Sequence, residues 1–280
     1  MVDMSSLAEM ISSVTSTFVV AQQDRSDEQL AQALVYNASR LAWRMREVGI
    51  TTERKTSVSD VVTEADRAAE SFVSDALKAL RPEDGVRGEE GSSRESDSGR
   101  YWVIDPIDGT FNFSRGSDYW CSALALVSGT PDEPEQVHFG AVHRPDMGYT
   151  WFGGPEIPTT RDGKSLPPLS DADISTIPLA TYLHPTYVGN AEVAGAWQAV
   201  AQLPSTIRMW GAGSVDLASV ADGTMGAWMQ HSVPSWDWLP GRALVEGNGG
   251  ATAQVEAGGV TWSIAGNAQA VEQIRAALES

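Results

Sequence analysis

The chain has 280 residues, 42% hydrophobic and 20% charged, which is enough apolar material for one large core or two adjoining ones. Thirty-seven acidic residues against 19 Lys plus Arg leave a formal charge of −18. Such a field repels phosphate backbones and anionic lipid, so nucleic-acid and membrane binding are excluded as expectations, whereas carboxylates gathered in a cleft are what hard divalent cations require.

Residues 1 to about 25 are polar and Ser-rich and read as a frayed extension or a short helix. They hold neither the basic start nor the long apolar run of a leader or anchor, so a soluble, cytoplasmic protein is expected. Ser26 and Gln29 form a candidate capping box. Leu30, Leu34, Ala38, Leu41, Met45 and Val48 then recur at helical spacing, and Gly49 closes the run. A second helix is expected over 64–80, with the stripe Ala65, Ala68, Ala69, Phe72, Val73, Ala76, Leu77 and Leu80 and with Pro82 just beyond.

Short β-rich runs follow at 101–104, 122–127, 137–142 and 149–152, the last three spaced as an antiparallel meander. Cys121, the single cysteine, excludes an internal disulfide or a thiolate zinc cluster and sits in an apolar run as a buried thiol. The Gly- and Pro-rich stretch 153–168 marks a domain boundary, giving an α+β unit over 1–165 and an α/β unit over 166–280. In the second half, strands are expected at 178–183, 206–210, 225–231 and 260–264. Helices are expected at 191–203, 214–222 and 236–247, with one more capped by Asn267. This alternation predicts sheets covered by helices.

The most informative stretch is Trp102-Val-Ile-Asp105-Pro-Ile-Asp108-Gly-Thr110. An apolar strand runs into two carboxylates, and a strand end that stops in a turn can aim both at one point. Pro106 fixes the backbone there, and Gly109 lets it approach a ligand closely. With the carbonyl of Ile107, these are oxygen ligands suited to Mg²⁺. Gly88-Glu89-Glu90-Gly91 places acids in a glycine-flanked loop; Asp60 to Asp66 puts an acid in a first helical turn; Trp236-Asp237-Trp238 opens a late helix. Each segment alone is a solvated or helix-capping acid. The four in this order are not.

That ordered set, with Gly211-Ala-Gly-Ser-Val-Asp216, resembles the inositol monophosphatase family of lithium-sensitive, magnesium-dependent phosphatases over roughly residues 30–275. The resemblance implies an α/β (α+β) fold, the layered α-β-α-β-α sandwich of the inositol monophosphatase and fructose-1,6-bisphosphatase type. It implies hydrolysis of a small phosphate monoester by a metal-activated water, with inositol monophosphate the nominal substrate and no covalent intermediate. Glu89, Asp105 and the Ile107 carbonyl look like ligands of one Mg²⁺; Asp105, Asp108 and Asp237 look like ligands of a second, and a third, weaker ion sits near Glu89. Asp66, Thr110 and Glu89 carry the catalytic roles. Gly109, Thr110, Gly211, Gly213, Gln230 and Asp237 form the substrate side. Inhibition by Li⁺ and a homodimer are implied as well.

The match departs at Gln230, seven residues before Asp237, where the family commonly has an acid. This counts against inositol phosphate as the preferred substrate, and the resemblance implies a second ester, histidinol phosphate, which some relatives of the family dephosphorylate. Arg115 and Arg208 are further candidates to face substrate, while the four histidines show no metal spacing and read as structural. The stretch 250–264 is short for the family, so a trimmed last sheet is expected. A non-catalytic relative acting through a protein partner is the rival from another class, and the intact carboxylates and Thr110 count against it.

Overall fold

Two sheets, one layer of helices between them and one layer on each outer side account for residues 4–49, 52–54 and 61–280, those described by the computed structural model. In chain order the first elements are α1 (Met4–Gln22), α2 (Asp27–Val48), the ribbon of β1 (Thr52–Arg54) with β2 (Val61–Thr63), and α3 (Glu64–Leu80). Next come β3 (Gly85–Gly88), β4 (Ser93–Arg94), β5 (Arg100–Asp108) and α4 (Thr110–Ser114). A meander follows: β6 (Cys121–Gly129), β7 (Pro134–Arg144), β8 (Tyr149–Gly154), β9 (Ile157–Arg161) and β10 (Lys164–Ser165). The second half holds β11 (Pro178–Tyr182), α5 (Ala191–Ala201), β12 (Thr206–Arg208), α6 (Gly213–Ala221) and β13 (Ala227–His231). It ends with α7 (Ser235–Gly247), β14 (Ala251–Ala257), β15 (Val260–Gly266) and α8 (Ala268–Leu278).

The first sheet has the order β10-β9-β8-β7-β6-β5-β3-β4 and the second β12-β11-β13-β15-β14. Why both faces of the first sheet are dry is visible in β6. Its apolar residues do not alternate with polar ones; they alternate between two cores. Leu124 and Leu126 pack with α1, α2 and α3, whereas Ala123, Ala125 and Val127 pack with α6 and α7. On the second sheet Ala180 and Trp228 face the same α6–α7 layer, and Leu179, Ala227 and Met229 face α5 and α8. The result is the layered α-β-α-β-α sandwich. Gly140 of β7 allows α7 to lie close on the sheet, because a Cβ there would collide with the Pro240 backbone.

Local signals and structure agree closely for α2 and α3. Ser26 accepts from Gln29 N at 3.4 Å, and Gly49 ends α2 with φ of 97°. The full capping box lies instead at the start of α3, where Thr63 and Asp66 satisfy each other's backbone N–H groups. The N-terminal stretch is more regular than expected: α1 runs for 19 residues. It is held by Phe18, buried edge-on against Phe72 of α3 at 5.1 Å, and tertiary packing of this kind outweighs a Ser-rich composition. The last sheet is not trimmed. Residues 251–257 form β14, paired to β15 around Gly258 and Gly259, whose φ values of 60° and 75° suit a tight hairpin turn. No helix among the described residues is long and apolar enough to cross a membrane.

Candidate active site

Asp105 and Asp108 are three apart, and in a regular strand an odd separation sends side chains to opposite faces. The strand solves this with an irregularity, not with the expected stop. In β5, Asp105 pairs with Ala123 and Asp108 with Cys121, and the register shifts between them. Trp102 and Ile104 face the α1–α3 core while Val103 faces α6 and α7, so Asp105 inherits the inner face. The bulge then puts Ile107 into the α1–α3 core and returns Asp108 to the inner face beside Cys121. Ser122 Oγ donates to the Pro106 carbonyl at 2.5 Å and Ile107 N donates to Asp105 Oδ1 at 3.0 Å, fixing the bulge.

The inner face meets the first turn of α7, which supplies Asp237, and the start of α6, whose Ser214 N–H donates to Asp108. Carboxylate oxygens of Asp105, Asp108 and Asp237 all lie within 4.8 Å of one another. Burial, then the charges of Glu89, Asp108 and Asp237, pushes Asp105 far above the usual carboxylate range. Burial and the charges of Asp108 and Glu89 do the same to Asp237. Burial also raises Asp108, although the N–H groups of Ser214 and Gly213 oppose the rise. The side chains of Asp105 and Asp237 are within hydrogen-bond reach, which two carboxylates tolerate only with a proton or a cation between them. A buried, all-oxygen, mutually repelling donor set of this kind fits a hard divalent cation.

Glu89 lines the same cavity, on the turn after β3, but outside the three-aspartate cluster. Its turn is tied down by Glu70 of α3, a buried carboxylate that accepts from Glu90 N and Ser92 N, both at 2.7 Å. Sequence reasoning missed Glu70, since an acid inside an amphipathic helix reads as solvated. Its one signal is its position, immediately after Ala69 on the buried stripe. Asp66 does not line the cavity but stands behind it. Its Oδ2 accepts from Thr63 N at 2.8 Å, and its Oδ1 accepts from Thr110 Oγ1 at 2.9 Å. The helix-capping and catalytic readings of Asp66 thus use different oxygens of one carboxylate. Burial raises its pKa to about 6 against the pull of these hydrogen bonds. Asp60 lies outside the described residues. Gly109 adopts φ of 90°, and a Cβ there would sit 3.0 Å from Ala212 Cβ and 3.1 Å from the Tyr119 carbonyl.

The cavity holds about 550 Å³ and brings Gly109, Thr110, Gly211, Gly213, Gln230 and Asp237 to its walls with the carboxylates. Gln230 gets there by register, on the same face of β13 as Trp228. Arg115 and Arg208 do not line it. Arg115 lies over the Phe111 ring at 5.5 Å, and Arg208 donates to Thr206 Oγ1 and to the Ile207 carbonyl. Of the histidines, His184 does line the cavity, joined by Tyr182, Phe111, Met209 and Trp210, none of which carried a sequence signal for a site.

Against known proteins, residues 21–279 match the model of the inositol monophosphatase family. The inositol-1-monophosphatase of Mycolicibacterium smegmatis is 32% identical over 221 residues, 74% of this chain and 73% of that one. A histidinol-phosphatase of Mycobacterium tuberculosis is 39% identical over 128 residues, 45% of this chain and 46% of that one. The inositol monophosphatase II of Staphylococcus aureus superposes with a TM-score of 0.75 at 22% identity, covering 90% of this chain and 92% of that one.

Proposed function

The chain belongs to the inositol monophosphatase family and is a phosphoric monoester hydrolase; from that premise we propose that it hydrolyses a small phosphate monoester at the Asp105–Asp108–Asp237 cluster with Mg²⁺ as its cofactor. One observation carries this reading: three carboxylates, two of them buried and that of Asp237 half-buried, whose oxygens converge within 4.8 Å. Glu89, Asp105 and the Ile107 carbonyl would hold one ion; Asp105, Asp108 and Asp237 would hold a second; Glu89 would serve a third, weaker one. Bound Mg²⁺ supplies the positive charge that admits a phosphate to an acidic cavity and the Lewis acidity that polarises water and ester.

The chain's own groups supply the proton chemistry. Thr110 Oγ1 has one proton and two acceptors at 2.9 Å, Asp66 Oδ1 and the Ile107 carbonyl. When the proton goes to Asp66, a lone pair of Oγ1 remains at the cavity wall to accept from the attacking water. Asp66, raised to about 6, is suited to take up a proton near neutral pH. Cys121 is no competing nucleophile, because burial and the neighbouring carboxylates push its thiol far up. Backbone N–H groups at Gly109 and Thr110 would meet phosphate oxygens.

Among the described residues no lysine or arginine lines the cavity, which favours an ester with one anionic group over a bisphosphate. The test is phosphate release from inositol 1-phosphate, L-histidinol phosphate and glycerol 2-phosphate, with Mg²⁺ or with excess chelator. Release that needs Mg²⁺ and falls with Li⁺ is expected. Full activity in chelator would refute the cofactor, and sedimentation of the same sample tests the homodimer.

A further inference from the structure

Part of the cavity wall is apolar. Phe111, Met209 and Trp210 border it and keep 40%, 43% and 40% of their surface exposed. Large apolar side chains left open at a cavity, and not covered by the core, are a recognition surface for carbon.

Trp210 is also braced from behind. The Tyr119 ring lies 5.0 Å from it, tilted by 50°, and the Tyr119 hydroxyl donates to buried Asp216 Oδ1 at 2.5 Å. Asn112 Nδ2 donates to the Trp210 carbonyl at 2.7 Å and to the Tyr119 carbonyl at 3.0 Å, tying the two backbones together. The indole is therefore held in place before any substrate arrives, which lowers the ordering cost of stacking on it. Tyr182 and His184, edge-on at 6.2 Å, form another part of the lining. A polyol here would trade water for carbon faces around its hydroxyls, an exchange that costs free energy; a flat ring loses little and gains contact.

Resting on the hydrolase reading above, we propose that Trp210 is a specificity-determining platform that selects phosphate monoesters whose alcohol carries a flat aromatic or heteroaromatic ring. The ring stacks on the indole beside Phe111, and the phosphate reaches the carboxylate end. The acidic lining, free of lysine and arginine among the described residues, suits a neutral or cationic ring.

Two matched measurements test this. The first is kcat/KM with Mg²⁺ for 2-phenylethyl phosphate against inositol 1-phosphate. The second is calorimetric Kd for the non-hydrolysable 2-phenylethylphosphonate against 3,4-dihydroxybutylphosphonate. Wild type should favour the ring in both pairs, and in Trp210→Ala each ratio should fall about fivefold or more, the usual worth of an aromatic pair in a closed site. Trp210→Phe keeps a stacking face and should restore most of each ratio, which a merely structural role would not require. No ring preference in wild type, or equal losses for both partners in Trp210→Ala, overturns the platform. If no ester releases phosphate, the hydrolase reading fails separately, and the phosphonate ratio still decides the platform.

Discussion

One cavity has two unlike sides. The carboxylate side is built on long regular elements: Asp105 and Asp108 from one bulged strand and Asp237 from the first turn of α7, all turned to the layer between the sheets. The other side is built from short elements, element ends and connections: Phe111 in the short α4, Trp210 between β12 and α6, Gln230 near the end of β13 and His184 before a short 3-10 turn. Positions of the first kind are locked by register and by two hydrophobic cores, so they can hold repelling charges together. Positions of the second kind are exposed or half-buried and can change without disturbing the core. In the proposed reading, reaction chemistry sits where the fold is stiff, and selectivity where it is tolerant.

The strongest way to break that contrast is Asp105→Asn. Turnover should fall about 100-fold or more, since a shared ligand charge is lost at constant volume. The same change should abolish the rise in melting temperature that Mg²⁺ gives wild type. Phosphate release and thermal unfolding with and without Mg²⁺ measure both; turnover near wild type would remove Asp105 from the site.

On the tolerant side, Gln230→Glu should change preference without touching the metal requirement. One hydrogen-bonding group is worth roughly 1–3 kcal/mol, so relative kcat/KM among inositol, histidinol and glycerol phosphates should shift about 5- to 150-fold. Unchanged ratios would mean that Gln230 does not touch substrate. Glu70→Gln sharpens the contrast from the stiff side. It removes one of two acceptors that shape the Glu89 turn, and the Mg²⁺ concentration for half activity should rise about fivefold, the equivalent of a lost hydrogen bond. No change would show that the turn holds Glu89 unaided.

The last expected effect is in pH dependence. In excess chelator the folded state holds Asp66 and Asp216 at about 6 and about 8, both above the ordinary 3.8, chiefly through burial. The folded chain therefore binds more protons than the unfolded one between these values. This stabilisation is complete below about pH 4 and is lost as pH rises through about 6 and then about 8. Melting temperature in chelator should fall across that window. Asp216→Asn should flatten the upper part of the fall. A melting temperature that rises with pH in chelator would contradict it.

Sequence alone placed α3 at its observed bounds and the meander strands at theirs to within a few residues, because amphipathic stripes and short β-rich runs are local signals. It offered at most a short helix where α1 runs, whose length depends on Phe18 finding Phe72, and it did not reveal β14, which depends on the register offered by β15. The stretch 153–168, rich in Gly and Pro, carries β9 and β10 at the edge of the first sheet. Edge strands carry fewer apolar positions and are poorly marked in sequence.

For the site, the residues between Trp102 and Thr110 announced carboxylates with a purpose, since an apolar run, Pro, Gly and two acids are an unusual string whatever surrounds them. What the string could not state is that the strand continues through it. The facing of Asp108 is set by the partner strand that absorbs the extra residue, and that strand lies 13 residues further on, at Cys121. Glu70, Asp216 and Trp210 were silent for the same reason. Each looks like an ordinary helical or loop residue until the packing of α3, α6 and β5 brings it to the cavity or to the residues that shape it. Sequence by itself determined which chemistry the chain carries, because that is written in residue types close together along the backbone. Tertiary structure alone decided which side chains share the cavity with it, because contacts between distant segments depend on strand order, register and the thickness of the buried layers.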